Sequence, residues 1–196
     1  MQNARHPKTH RELCELACRF LRNNGFKVVF SDRFHAWTSC GEHPDALGFR
    51  NGASCLIEVK CSRSDFLADR KKVFRSEPEK GMGDWRFYLC EPGVITVADL
   101  PAGWGLLYAI NGRVRKVHGW PGNHQWVVTV AKPFRANKQA ECDYLFSALR
   151  RLEIRGVTEN GADAVNATMF DRYLPFSCPL NTFVTDAVRF SPFHHH

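Results

Sequence analysis

Residues 54–59 form a short, almost wholly apolar run that contains one carboxylate, Glu58. Such a run is typical of a strand that is buried on both faces, where an unpaired charge is costly. Lys60 follows two residues after Glu58, and because side chains alternate along a strand, the two side chains share one face. The dipeptide Asn51-Gly52 before the run favours a tight turn between two antiparallel strands. That turn lays Asp45 beside Glu58, so we expect two carboxylates and a lysine to converge.

Two carboxylates and a lysine in one place can hold a divalent metal ion and activate a water molecule against a phosphodiester. Pro-Asp and Glu-x-Lys pairs are also common at turns and on protein surfaces, and a pair of solvent-facing charges is the alternative interpretation. The predicted hairpin and the apolar surroundings of Glu58 favour the metal site, because a buried acid needs a partner or an ion.

Length, charge and cysteine content narrow the class of protein. The 196 residues suffice for one domain with a hydrophobic core. Lys and Arg number 27 against 20 Asp and Glu, and the resulting charge of +7 suits a polyanionic partner such as nucleic acid. No apolar run approaches the roughly 20 residues of a membrane span, and the polar start lacks the apolar core of a signal peptide. The eight cysteines include no Cys-x-x-Cys pair, and we expect reduced thiols in a cytoplasmic protein.

The secondary-structure signals alternate between helix and strand. A capping box at Thr9 and Glu12 opens one helix, and Ser62 with Asp65 opens another. Strands are predicted at 26–30, in the hairpin 45–60, and at 85–90, 104–110, 113–117 and 125–130. A last helix is predicted at 137–155, with an apolar side made of Cys142, Leu145, Phe146, Leu149 and Leu152. This order predicts an α/β fold with a mixed central sheet flanked by helices. Residues 1–155 are assigned to this domain and 156–196, where the pattern decays, to a C-terminal extension.

The pair Pro44-Asp45, the twelve residues after it and the triplet Glu58-Val59-Lys60 resemble the signature of the PD-(D/E)xK nuclease superfamily. Residues 41–69 are most similar to MmcB-like DNA-repair proteins and related phage proteins. The first helix and the residues after it are similar to archaeal Holliday-junction resolvases. The resemblance covers about residues 9–110. It implies a restriction-endonuclease-like core and a deoxyribonuclease that uses Mg²⁺, or Mn²⁺ in its place, in DNA repair, recombination or phage DNA metabolism.

The resemblance also assigns roles to residues. Asp45 and Glu58 would coordinate Mg²⁺, and the backbone carbonyl of Val59 would add a ligand. Lys60 would orient or deprotonate the attacking water. An acid from the first helix completes many such sites, and Glu15 is preferred here over the competing Glu12, which has a capping role. A solvated helix face is the alternative interpretation of Glu15.

Cationic residues that follow the motif are candidate contacts to nucleic-acid phosphates. They are Arg63, Arg70, Lys71, Lys72 and Arg86. For those on the second predicted helix, a solvated face is the alternative. DNA is the expected partner, and a homodimer is considered because junction resolvases and many restriction enzymes are dimers. Two other functions stay open: a DNA-binding module of the same fold without cleavage, and a phage or host factor that binds another protein.

Overall fold

The computed structural model describes residues 8–154. The chain divides after Arg151 into two compact units, and the second, Leu152–His196, lies almost wholly outside the described residues. The predicted C-terminal extension, residues 156–196, is therefore also outside them. No helix in the described range is long and apolar enough to cross a membrane.

The described residues form one mixed sheet with helices on both faces, which confirms the predicted fold class. The strands follow chain order across the sheet; β3 pairs parallel with β4 and β4 with β5, and the other pairs are antiparallel. The helices are α1 (His10–Asn23), α2 (Arg63–Asp69), α3 (Val73–Ser76) and α4 (Lys138–Ile154). The strands are β1 (Val28–Ser31), β2 (Ala46–Arg50), β3 (Ala53–Lys60), β4 (Trp85–Cys90), β5 (Trp104–Ile110) and β6 (Arg113–His118).

Helix α1 begins at the predicted capping box. The Thr9 hydroxyl accepts from the backbone N–H of Glu12, and the Glu12 carboxylate accepts from the backbone N–H of Thr9, at 2.7 Å. Two otherwise unpaired N–H groups are thereby satisfied. The buried side of the helix, which includes Leu13 and Leu21, packs against one face of the sheet. This packing fixes which α1 side chains reach the end of the motif hairpin.

The motif hairpin has the register that the sequence predicted. Arg50 opposes Ala53 across the turn, and Ala46 opposes Ile57. Gly52 takes a positive φ of 70°, which glycine adopts without strain. Every residue of β3 is buried, as expected for a central strand. The hairpin therefore delivers Asp45, the residue before β2, to the end of β3 that contains the Glu-x-Lys motif.

Two local predictions were wrong. Residues 125–130 form two short 3-10 turns rather than a strand, because Trp126 turns into the core while Val130 is 94% exposed. Helix α4 forms where expected, but it buries a different side. Its contacts come from Ala140, Glu141 and Tyr144, whereas Phe146 is 64% exposed. The predicted apolar side is left largely exposed because the Glu141 carboxylate accepts hydrogen bonds inside the domain and turns its own side of the helix inward.

Strand β6 forms one edge of the sheet, and its side chains are mostly exposed. The sequence there is rich in basic residues: Arg113, Arg115, Lys116 and His118. The opposite edge, β1, is only four residues long. The charged residues of β6 thus lie at the rim of the domain, away from the central strands.

Candidate metal centre

Asp45 lies at the mouth of the motif hairpin, with 15% of its side chain exposed. Its Oδ2 accepts a hydrogen bond of 2.7 Å from the backbone N–H of Val59. Its Oδ1 lies 3.2 Å from Nε2 of His10. Burial, and next to it the negative charge of Glu58, raise the pKa of Asp45 from an ordinary 3.8 to about 6. The Val59 N–H therefore orients the Asp45 carboxylate. Its ionised form is destabilised by burial and by the negative charge of Glu58.

Glu58 and Lys60 share one face of β3, as their spacing predicted. The Nζ of Lys60 lies 3.2 Å from Oε2 of Glu58, and the two residues are only 4% and 1% exposed. The other oxygen of Glu58, Oε1, is buried and has no hydrogen-bond partner. A buried carboxylate oxygen without a partner is costly and is a donor that a divalent cation can use.

A cover over Glu58 was not foreseen from the sequence. It consists of Lys72 and Arg75, whose nitrogens lie 3.6 Å and 3.4 Å from Oε2 of Glu58. Both cations also bind Asp69, at 2.8 Å from Lys72 and 2.6 Å from Arg75. This cover lies over Glu58, which is only 1% exposed.

Asp69 holds the cover in place. Its carboxylate also accepts a hydrogen bond of 2.9 Å from the Tyr88 hydroxyl, and Lys60 lies 3.4 Å away. Burial opposes its ionisation, yet the hydrogen bonds and charge of Arg75, together with Lys60 and Lys72, hold the pKa of Asp69 well below its usual range. Its position as the last residue of α2 gives no sequence signal that distinguishes it from a surface acid.

A further buried acid, Glu42, lies behind the cover. Glu42 accepts from the backbone N–H of Met82 at 2.6 Å and lies 3.3 Å from Arg75. Burial, and after it the charge of Glu58, raise the pKa of Glu42. Arg75 is consequently bonded to three carboxylates while only 3% of its side chain is exposed.

The predicted nucleic-acid contacts separate into four kinds, of which three are exposed at least in part. Arg70 and Lys71 are exposed beside the cover, and Lys72 belongs to the cover itself with 42% of its side chain exposed. Arg63 is exposed but bonded to Asp99 at 2.6 Å.

Arg86 contradicts its prediction. It is 1% exposed, and its guanidinium donates to the carbonyls of Gly83, Pro78 and Gly81 at 3.1, 2.6 and 3.0 Å. Its donors therefore serve the fold of the preceding loop, so direct contact with phosphate is ruled out in this structure.

Glu15 does not lie at the site as expected. Its side chain is 54% exposed, and its Oε1 lies 3.2 Å from Arg11 and 2.9 Å from Arg33. This placement contradicts the prediction that Glu15 completes the metal site and matches the alternative of a solvated helix face. Glu12 is occupied by its cap, so neither acid of α1 is turned to Asp45.

The α1 residues that do face Asp45 are His10 and Cys14. Sγ of Cys14 lies 3.5 Å from Nδ1 and 3.9 Å from Nε2 of His10. One ligand atom from each of the three residues lies within 4.8 Å of the other two. Burial, and then the charge of Asp45, raise the pKa of the Cys14 thiol well above its usual range. The sequence signal was the spacing of four on a helix, which puts both side chains on one face.

No family model matches the chain, and no curated protein matches it. A solved structure of a protein of unknown function from Silicibacter pomeroyi is similar, with 26% identity and a TM-score of 0.52. The match covers 78% of this chain and 94% of that one. Since that protein is itself uncharacterised, the similarity supports the fold and brings no activity with it.

Proposed function

We propose that the chain is a metal-dependent nuclease of the PD-(D/E)xK type, which hydrolyses DNA phosphodiesters with a metal-activated water. The observation that carries the proposal is the buried, unpartnered Oε1 of Glu58, on the strand face that also presents Lys60. Asp45 adds a second carboxylate, whose pKa the charge of Glu58 helps to raise to about 6. Two acids that repel each other and one oxygen without a partner suit a site for a cation.

The donor set fits Mg²⁺, and Mn²⁺ in its place. Both ions take carboxylate oxygens and keep several waters, so Asp45 and Glu58 would suffice with a phosphate oxygen of the substrate. An ion there would satisfy Oε1 of Glu58 and offset the repulsion between the two acids. When bound, it would polarise the phosphoryl oxygen and lower the pKa of a bound water. The Val59 carbonyl stays a predicted extra ligand, while the Val59 N–H orients Asp45.

The residues of the chain would position the substrate and its charge. Lys60 holds a cation against Glu58, where it can orient water and offset negative charge that develops on the phosphate. The cover cations, Lys72 and Arg75, now bind the motif glutamate. A phosphate that enters would take up these cations in exchange, which frees Glu58 for the metal. Exposed Arg70 and Lys71 lie next to the cover and extend the basic surface along a nucleic-acid backbone.

The biological setting follows from the same proposal. DNA repair, recombination or phage DNA metabolism are processes that need such an activity. A cytoplasmic location suits the seven cysteines in the described residues, all of which are free thiols.

A second candidate is a DNA-binding module of the same fold that does not cleave. The observation that favours it is the closed state of the motif, since Glu58 and Lys60 are 1% and 4% exposed and Lys60 already has two carboxylate partners. In that case the buried charges would only stabilise the fold, and the exposed cations would bind DNA.

The deciding experiment incubates the protein with linear, nicked, flapped, single-stranded and four-way DNA, in Mg²⁺, Mn²⁺ or chelator. Glu58→Gln and Lys60→Met are compared with Glu141→Gln, which changes another buried acid that accepts a hydrogen bond from Ser54 instead. Cleavage that is lost in chelator and in both motif variants, but kept in Glu141→Gln, supports the nuclease. Salt-dependent DNA binding without cleavage supports the binding module. If the protein neither cleaves nor binds DNA, both proposed functions are refuted, and a factor that binds another protein is the remaining alternative.

A further inference from the structure

Three potential metal ligands of different chemistry meet at the start of α1. Nε2 of His10 lies 3.2 Å from Oδ1 of Asp45 and 3.9 Å from Sγ of Cys14. The ligand atoms of all three residues fall within 4.8 Å of one another. Zinc bonds of about 2.0–2.3 Å put neighbouring tetrahedral ligands roughly 3.3–3.8 Å apart. The triangle therefore has nearly the size of one face of a tetrahedral coordination shell.

Each ligand is held independently of any ion. His10 and Cys14 stand one turn apart on a capped helix, and Cys14 is completely buried. Asp45 is oriented by the Val59 N–H, which uses Oδ2 and leaves Oδ1 directed at His10.

From these contacts we propose that His10, Cys14 and Asp45 bind a divalent transition metal of the Zn²⁺ class. A mixed imidazole, thiolate and carboxylate set selects Zn²⁺, Co²⁺ or Fe²⁺ over the hard ions Mg²⁺ and Ca²⁺. With three protein ligands the fourth position is open to water, as in catalytic rather than structural zinc sites. The inference rests on the proposed function only through Asp45, which both sites use. The proposed transition-metal ion lies on the side of the Asp45 carboxylate that faces α1.

The test is a Co²⁺ titration of the reduced, metal-stripped full chain, followed by absorption spectroscopy. Bound Co²⁺ should show a near-ultraviolet thiolate charge-transfer band together with the visible bands of tetrahedral coordination. Zn²⁺ should abolish both, and excess Mg²⁺ should not. The thiolate band also separates this site from the terminal His194-His195-His196, which contains no sulfur.

Two variants and one control decide the assignment. Cys14→Ala should remove the thiolate band, while Cys18→Ala, at a buried cysteine one turn further along α1, should keep it. His10→Ala changes a half-exposed side chain and should weaken Co²⁺ binding by more than about tenfold. A wild type without the band overturns the proposal, and so does a band that survives in Cys14→Ala. If Cys14→Ala fails to fold, unchanged Co²⁺ affinity in His10→Ala overturns it.

The same titration separates this inference from the nuclease proposal, because it contains no DNA. A thiolate band in a protein that cleaves nothing supports the metal site and refutes the nuclease. Mg²⁺-dependent cleavage in a protein without the band does the reverse.

Discussion

Replacing Asp45 with asparagine should stabilise the metal-free protein at neutral pH. Asparagine keeps the shape of the side chain and an oxygen for the Val59 N–H, but removes the charge that Glu58 repels. The pKa of Asp45 rises from 3.8 to about 6 on folding. A pKa difference of one between the unfolded and folded states corresponds to about 1.4 kcal/mol, so ionised Asp45 destabilises the folded state by about 3 kcal/mol.

The sign of the effect depends on pH in a definite way. Because the folded pKa is the higher one, the folded state holds the proton more tightly, and this stabilisation is complete below the unfolded pKa of 3.8. It is lost as the pH rises through about 6. Asparagine has no proton to lose, so the advantage of Asp45→Asn should be small in acid and approach about 3 kcal/mol at neutral pH.

Urea unfolding in chelator measures this difference at several pH values. With a slope of about 2 kcal/mol per molar urea, the midpoint of Asp45→Asn should rise by ~1.5 M at neutral pH. Asp143→Asn, a carboxylate on α4 bonded to Gln139, serves as the control and should show no such trend. A variant that is less stable than wild type at neutral pH would refute the reasoning, as would a gain that does not change with pH. A divalent ion that binds the native wild type should shrink the gap.

Three other substitutions probe separate features of the structure. Asp69→Asn should lower the free energy of unfolding in urea by about 3–5 kcal/mol at neutral pH, because it leaves buried cations without their shared anion. This loss should fade as the pH drops below about 4, because wild-type Asp69 has a lowered pKa in the folded state and its stabilising effect is lost in acid. A loss that is unchanged in strong acid would contradict this. Lys72→Ala removes a half-exposed cation of the cover and should leave the urea midpoint nearly unchanged. It should tighten Mn²⁺ binding roughly fivefold in calorimetry, because about 1 kcal/mol of repulsion between the lysine and the metal ion is relieved. Weaker binding would count against a metal at Glu58. In thermal melting, Gly105→Ala should be less stable than wild type by more than about 2 kcal/mol, because the added Cβ would overlap the Phe87 ring. Gly122→Ala serves as the control and should be neutral, since its added Cβ meets no atom closer than 3.7 Å.

Local patterns predicted the elements that depend on neighbours in the chain. The strands Trp85–Cys90 and Trp104–Ile110 were predicted residue for residue. The Asn51-Gly52 turn set the register that brings Asp45 to the Glu-x-Lys strand, since a one-residue slip would turn Glu58 to the opposite face. The alternation of apolar residues and the residue types at the turn suffice to predict strands and hairpins of this kind.

Features that depend on distant partners were missed. Arg86 was expected to contact phosphate from a predicted strand, but its burial is stabilised by carbonyls of the loop before β4. Helix α4 turns Glu141 inward because Ser54 and the N–H of Gly83, far away in sequence, donate to it. His10 is the first residue of α1, and it comes close to Asp45 only because α1 packs on the sheet.

The two rims of the sheet bear on how this protein can assemble. An edge strand exposes backbone N–H and C=O groups that can recruit another chain, and proteins blunt such edges with cations and short strands. Strand β6 is lined with Arg113, Arg115 and Lys116, and β1 is too short to template a long pairing. A continuous sheet across two copies would bring like charges together at β6. Within the described residues, a homodimer contact should therefore form through helices or loops rather than sheet edges, and these two edges should resist edge-to-edge aggregation at high concentration.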